Sequence, residues 1–407
     1  MKKIITIFLV VFASAVSAQE NINQTKQDND LQLSVLPYYS FGKGIGITSP
    51  DSLYQFNIRF RMQNRVSYIE NEGENGAYDG QIRRLRLRFD GYIGNPKFLY
   101  VIQLSFASGD VGEIKEGENV NIIRDAVVFY RPNKNWNISF GQTKLPGNRQ
   151  RVNSSGGLQL TDRTINNAKF TIDRDFGFQV HNINEFKDKF SYNFKSAIST
   201  GEGRNVTGDS DDGVALTGKI ELFPFGSFLR DGTSFEGDIV REKKPKLMFS
   251  GAFQQNNQAK RTQGQLGNDL FEQRTMKSVL LDGMFKYRGW AAMVSYMSRA
   301  TTKNAVTFNP EDLTESNFVY VGDGFDYQLS YITPKNYEFI GRYSTQKVGD
   351  DIKSVAPNSK QYSIGVTKYI WEHTFKLQTE LTFDTLDYLD GTQKNNWYLR
   401  FQVEIGM

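Results

Sequence analysis

The chain has 407 residues, 49 Lys+Arg against 45 Asp+Glu, no cysteine and two histidines. Without cysteine there is no disulfide framework, and His181 and His373 lie far apart with no nucleophile motif beside either, which argues against a zinc site and a Ser-His-Asp hydrolase; the chain is not expected to be an enzyme. Mean hydropathy is −0.50 while Phe, Tyr and Trp make up 14% of the chain, and past the N-terminal stretch no apolar run is long enough for a membrane helix. The length allows two soluble domains or one large barrel, and this composition favours a membrane barrel, in which only alternate residues meet lipid and aromatic girdles mark the interfaces.

The N-terminus sets the compartment. Lys2 and Lys3 precede the apolar stretch Ile4 to Ala13, and Val16-Ser17-Ala18 offers the small residues that a signal peptidase reads. Residues 1–18 are therefore expected to be a cleaved signal peptide. Its removal would leave 47 basic against 45 acidic residues, so any basic function is local rather than global. Residues 19–52, with a polar run from Asn21 to Leu33, are expected to be a periplasmic segment, and 53–407 the barrel.

From Tyr54 to Tyr68 the chain alternates with a period of two. Tyr54, Phe56, Ile58, Phe60, Met62, Val66 and Tyr68 form an apolar face, and Gln55, Asn57, Arg59, Arg61, Gln63, Arg65 and Ser67 a polar one. The next run repeats it, with Leu85, Leu87 and Phe89 against Arg84, Arg86, Arg88 and Asp90. Further alternating segments run at 98–106, 121–130, 136–144, 176–183, 190–199, 214–222, 246–254, 278–287, 290–298, 325–332, 337–344, 361–370, 374–383 and 396–405, making sixteen. The spacing predicts an all-β, transmembrane antiparallel barrel of about 16 strands, closed so that no strand edge meets lipid.

Connection lengths supply a second test. Short turns follow the second, fourth, sixth, tenth, twelfth and fourteenth segments, and long polar loops fill the alternate gaps. That order assigns short turns to the periplasm and long loops to the exterior. The stretch Phe225 to Pro245 breaks the order, because it should be a short turn and is not.

The run Gly141-Gln142-Thr143-Lys144-Leu145-Pro146, then Asp162-Arg163-Thr164, then Asp173-Arg174-Asp175-Phe176-Gly177 resembles the phosphate-selective porin O and P family, Bacteroidetes-type members included. So do Asp282 to Tyr287, Arg342-Tyr343-Ser344 and Gly42 to Ile45. The resemblance implies a sixteen-stranded outer-membrane barrel of a Gram-negative bacterium, surrounded by lipid and lipopolysaccharide, forming a homotrimer. It also implies a diffusion channel for small anions such as phosphate, with no cofactor and no nucleic-acid partner.

The residues suggest a mechanism independently. If the long loop after the fifth strand folds inward, it brings Lys144, Arg149, Arg151, Arg163, Lys169 and Arg174 to the constriction against Asp162, Asp173 and Asp175. With Arg59, Arg61, Arg65, Arg84, Arg86 and Arg88 on the wall, these are the candidate anion-binding and pore-lining residues. Low-dielectric walls focus such a field, and guanidinium forks suit oxyanions. The alternative is a structural network in which the arginines pair with Asp90, Asp282, Asp326, Glu338, Glu380 and Glu404. A hairpin through Glu70 to Gly80 is expected to set Arg65 near Arg84 and Arg61 near Arg88, a like-charge crowding that mobile anions would relieve. Arg83 is expected to point to lipid and snorkel. Gly213 to Lys219 resembles a P-loop, but Ile220 replaces its Ser/Thr and alternation places it in a strand; Asp209 to Gly213 could offer oxygens to calcium but lacks the later Glu. Rival functions are a general or sugar-conducting porin and a non-conducting surface-binding barrel.

Overall fold

The computed structural model describes residues 44–111, 121–206 and 213–407. The expected signal peptide, most of the expected periplasmic segment and the aspartates weighed as calcium ligands lie outside those residues.

Each of the sixteen alternating segments is a strand. In chain order, after a short β1 (Ile45–Thr48), they are β2 (Tyr54–Glu70), β3 (Ala77–Ile93), β4 (Asn95–Ser105), β5 (Ile123–Tyr130), β6 (Trp136–Lys144), β7 (Arg174–Asn184), β8 (Ser191–Ser199), β9 (Ala215–Phe223), β10 (Lys246–Arg261), β11 (Asp269–Tyr287) and β12 (Trp290–Thr301). A small hairpin, β13 (Val306–Phe308) and β14 (Ser316–Phe318), then sits in a long loop. The barrel resumes with β15 (Gly322–Ile332), β16 (Tyr337–Val348), β17 (Asn358–Trp371), β18 (Phe375–Asp387) and β19 (Gln393–Gly406).

Neighbours pair antiparallel all the way round, and β19 pairs β2 from Trp397↔Glu70 to Gly406↔Arg61, which closes a sixteen-stranded barrel. β1 takes the edge of β2 that β19 leaves vacant, pairing Ile45↔Ile58 through Thr48↔Gln55. Among the described residues no helix is long and apolar enough to cross a membrane; the chain crosses with strands.

Side chains follow the alternation. Phe56, Val66, Phe140, Phe178, Ile220 and Phe253 are exposed on the outer face, while Asn57, Gln63, Ser67 and Asp90 are buried within. Outward aromatics pair across strands at both rims: Trp290 and Tyr331 at 4.8 Å near the short turns, Tyr343 and Tyr362 at 4.7 Å and Tyr68 and Trp397 at 5.4 Å towards the long loops. The tightest turn joins β11 to β12 through Arg288-Gly289, both at positive φ (47° and 89°), the geometry that two-residue hairpins need. The run Ala215 to Lys219 lies in β9, as its alternation predicts, and not in a loop that could cradle phosphate.

The inner face is not uniform. On β2 and β3 it is wholly polar from Asn57 to Ser67 and Arg84 to Asp90. On β10 to β12 it carries Met248, Ala252, Met276, Leu280, Met284, Met293 and Met297, all buried. Those apolar positions seat two inward segments against one side of the lumen.

Candidate pore and its lining

The long loop between β6 and β7, residues 145–173, folds into the barrel. It contains a helical turn Arg149–Val152, a 3-10 turn Ser155–Gly157 and a helix Ile165–Phe170 capped by Thr164, whose hydroxyl accepts from Asn167 N at 3.1 Å. Its apolar members Leu145, Phe170 and Ile172 pack on Leu280, Met297 and Tyr320.

Carboxylates of the far wall take the loop's donors. Asp282 accepts from Arg149 N at 2.8 Å, Asp326 from Thr164 Oγ1 and Asn166 Nδ2 at 2.9 Å each, and Glu380 from Thr161 N at 2.8 Å. Wall cations hold the loop's carbonyls in turn: Lys376 Nζ donates to Gly156 O and Leu158 O, each at 2.7 Å, and Arg299 to Lys169 O and Thr171 O at 2.7 and 3.0 Å.

The exceptional stretch 225–245 is a second inward segment. It enters from the end of the short turns and meets the loop midway, where Glu236 N donates to Gly157 O at 3.0 Å. Its apolar seat is Phe223, Phe228, Met248, Met284 and Met293. This accounts for the length that broke the order of the connections.

The register of β2 on β3 corrects the sequence expectation. The opposed pairs are Arg59↔Arg88, Arg61↔Arg86 and Gln63↔Arg84, so Arg61 faces Arg86 rather than Arg88 and Arg65 lies opposite Gln81. The cause is where the hairpin closes, at Ile69↔Ala77; a β-bulge between Gln63 and Asn64, where Arg83 is the extra residue, then shifts the register by one. The same bulge overturns the expectation that Arg83 snorkels to lipid. It turns inward beside Arg84 and grips Asp162 with Nε and Nη2, each at 3.0 Å.

Like charges so crowded need compensation. Asp90 sits below the ladder and accepts from Arg59 at 3.3 Å and Arg88 at 3.0 Å. Arg61 donates to Ser154 and Ser155 hydroxyls at 2.7 Å each and lies 3.8 Å from Glu404. Arg86 meets Asp110 at 2.6 Å. Arg65 and Arg84 share Asp162 with Arg83, at 3.0 and 3.2 Å. Burial alone would raise the Asp162 carboxyl, but Arg84 and Arg83 outweigh it and hold it well below the usual carboxylate range. For Asp173 burial is outweighed by Arg151 and Arg174 in the same sense.

The loop cations divide. Lys144 donates to Val152 O and Asn153 O at 2.8 and 3.1 Å, Arg163 to Gln150 O and Asn153 O at 2.8 and 3.1 Å, and Arg149 pairs with Glu221 on the far wall. Arg151 pairs with Asp173 at 2.5 Å and Arg174 with Asp125 at 3.0 Å, while Lys169 Nζ lies 4.9 Å from the centre of the Tyr320 ring. Asp175 turns away from them and caps the next loop, accepting from Gly201 N at 2.6 Å.

A narrow cavity follows the polar wall down to Gly406 and Met407. Arg59, Arg61, Arg86, Arg88, Lys144 and Arg174 line it, and among the described residues Glu404 is the one acidic side chain in that lining. Arg65, Arg84, Arg149, Arg151 and Arg163 are outside that lining and hold the loop. His373 also reaches the cavity, its imidazole kept neutral by burial, then by Lys376 and Lys286. Sequence reasoning missed Asp110, Ser154, Ser155 and Glu236 as parts of this arrangement. The methionines on the inner face of β10 to β12 were the available signal, because a water-filled lumen has no use for them.

Residues 56–213 match the model of the family described as phosphate-selective porin O and P. Over those residues the chain is similar to that family. Among solved structures it is similar to the outer membrane channel DcaP of Acinetobacter baumannii, at 15% identity and a TM-score of 0.53 over 89% of this chain and 99% of that one. It is similar also to the anion-selective porin from Comamonas acidovorans, at 11% and 0.52 over 87% and 100%, and to Salmonella typhi OmpF in complex with daunomycin, at 12% and 0.52 over 88% and 100%. At these identities the likeness is one of fold. No curated protein sequence matches significantly. The family match over residues 56–213 and the sixteen-stranded barrel together support an outer-membrane porin, whose inward loop and arginine ladder bound the cavity.

Proposed function

We propose that the porin is a diffusion channel selective for small anions, phosphate among them, rather than an enzyme. The observation that carries this reading is the division of the lumen: far-wall carboxylates are occupied by donors of the inward loop, while six cationic side chains and Glu404 line the cavity, and the aspartates paired with four of the six, Asp90, Asp110 and Asp125, stand outside that lining. An anion moving down it would exchange between successive guanidinium forks, and no single site need bind it tightly. Arg59, Arg61, Arg86, Arg88, Lys144 and Arg174 are the residues we assign to that path. Arg65, Arg84, Arg149, Arg151 and Arg163 contribute through the loop they hold. The family resemblance supports a homotrimer in outer-membrane lipid and lipopolysaccharide, reached through a cleaved signal peptide.

The test is the reversal potential of the purified protein in a planar bilayer under a KCl gradient, followed by titration with phosphate. Anion selectivity and phosphate block of the chloride current support the reading; a cation-selective or unselective channel would overturn it.

A further inference from the structure

We propose that the periplasmic segment 225–245 is a fixed inner buttress that sets the bore of the pore, and that Glu236 and Lys286 are its two positioning residues. The inference deepens the channel reading above and rests on it.

The segment is held as a structural part and not as a loose turn. Lys286 on β11, fully buried, donates Nζ to Gly232 O, Phe235 O and Gly237 O at 2.6, 2.7 and 2.7 Å, and sits 4.1 Å from the Phe235 ring centre. An ammonium has three donors, and here backbone carbonyls of the segment's tip accept all three. At the root, Lys246 Nζ donates to Phe225 O at 2.8 Å, and Arg241 donates to Ile332 O at 2.8 Å. Asp238 accepts from Gly289 N at 2.7 Å, tying the segment to the β11–β12 hairpin.

The tip does its work through Glu236. One carboxylate oxygen accepts from Gln150 Nε2 at 2.9 Å; the other accepts from Gln159 N at 2.9 Å and from Gln328 Nε2 on the wall at 3.1 Å. Gln150 and Gln159 both belong to the inward loop, so a single side chain joins loop, segment and wall. The approach leaves no spare room. A Cβ on Gly157 of the loop would stand 2.8 Å from Ser234 O and 3.0 Å from Phe235 Cα, and one on Gly237 would stand 2.4 Å from Glu338 Oε1. With the segment seated, it and the loop together fill the far side of the lumen, and solute is confined to the lane beside the arginines. Were it absent, the periplasmic half of the lumen would widen, and less of its cross-section would lie within a Debye length (~8 Å at physiological ionic strength) of the guanidiniums.

The β9–β10 register, Leu222↔Phe249, continues to place Phe225 opposite Lys246, so residues 226–245 can be replaced by Asn-Gly, a two-residue hairpin turn. The trimmed porin is expected to show a larger single-channel conductance and an anion-to-cation permeability ratio moved towards one. Lys286→Met, which keeps the chain length and removes the three donors, should move both readouts the same way by less. A trimmed, heat-modifiable protein with wild-type conductance and wild-type permeability ratio overturns the proposal. If the trimmed chain does not assemble, Lys286→Met decides by the same two readouts, no change counting against. A wild-type channel without anion selectivity would sink the channel reading instead, and the conductance comparison would still judge the buttress.

Discussion

Arg61 and Arg86 face each other across β2 and β3 and donate to the same hydroxyl, that of Ser155, at 2.7 and 3.2 Å. A neutral acceptor cannot cancel two guanidiniums. Partial relief comes from Glu404 and Asp110 at the flanks, and both guanidiniums belong to the lining of the cavity.

Converting Arg61, Arg86 and Arg88 together to Gln should leave the barrel folded, since the cavity is open to water, and lower the anion-to-cation permeability ratio severalfold, because potentials of several kT are involved. The difference should fade at high salt, where the Debye length falls to ~3 Å at 1 M. Reversal potentials of wild type and variant at low and high KCl measure it. Equal values at low salt would assign these arginines to the structural network with Asp90 and Glu404.

The barrel was legible because alternation is a local signal, and a lipid-facing strand has no other way to satisfy its backbone. Trp397 pairs with Tyr68 on the outer face while Gln402 donates to Gln378 at 2.8 Å inside, as the alternation from Trp397 to Ile405 predicts. The bulge at Arg83 was illegible for the same reason. One inserted residue leaves each half of a strand correctly alternating and shifts only their relation. The loop contacts were illegible too, since Glu236 and Gln159 are brought together by barrel closure and not by any spacing in the chain. The inward methionines were a sequence signal that went unread, and they mark the wall that seats the two inward segments.

Replacing Phe401 or Trp397 by Asp should impair assembly far more than the same change at Gln402. A basic residue at the bilayer midplane costs roughly 2–4 kcal/mol, an acidic one less, and either falls off towards the interfaces. The fraction of heat-modifiable protein after refolding into detergent or lipid reads this out. Similar yields for all three would mean that the outer and inner faces have been exchanged.

Asp162 gathers three arginines, and its loss should loosen the loop without unfolding the barrel. In Asp162→Asn, Arg65, Arg83 and Arg84 lose their shared counter-charge. Removing one partner from a buried ion pair costs about 3–5 kcal/mol, and the carboxylate's partial exposure places this case at the low end or below. The expected result is a noisier current with more frequent closures, while thermal unfolding of the barrel stays near wild type. A quiet wild-type trace would show that the main-chain contacts of Lys376 and Arg299 hold the loop by themselves.

The pH dependence follows from the same cluster. The folded-state carboxyls of Asp162 and Asp173 lie well below their ordinary values; burial opposes ionisation, and the neighbouring arginines outweigh it. A depressed carboxylate contributes stability that is present above the unfolded pKa, about 3.9 for Asp, and is lost only as pH falls through the folded value. The loop should therefore stay anchored from neutral pH down to about 4, with conductance and permeability ratio constant from pH 7 to 5. The arginines remain charged throughout this range. Bilayer recordings at fixed ionic strength across those values test this, and a sharp change in selectivity near pH 5 would mean that Asp162 does not carry the charge that holds Arg65, Arg83 and Arg84 in place.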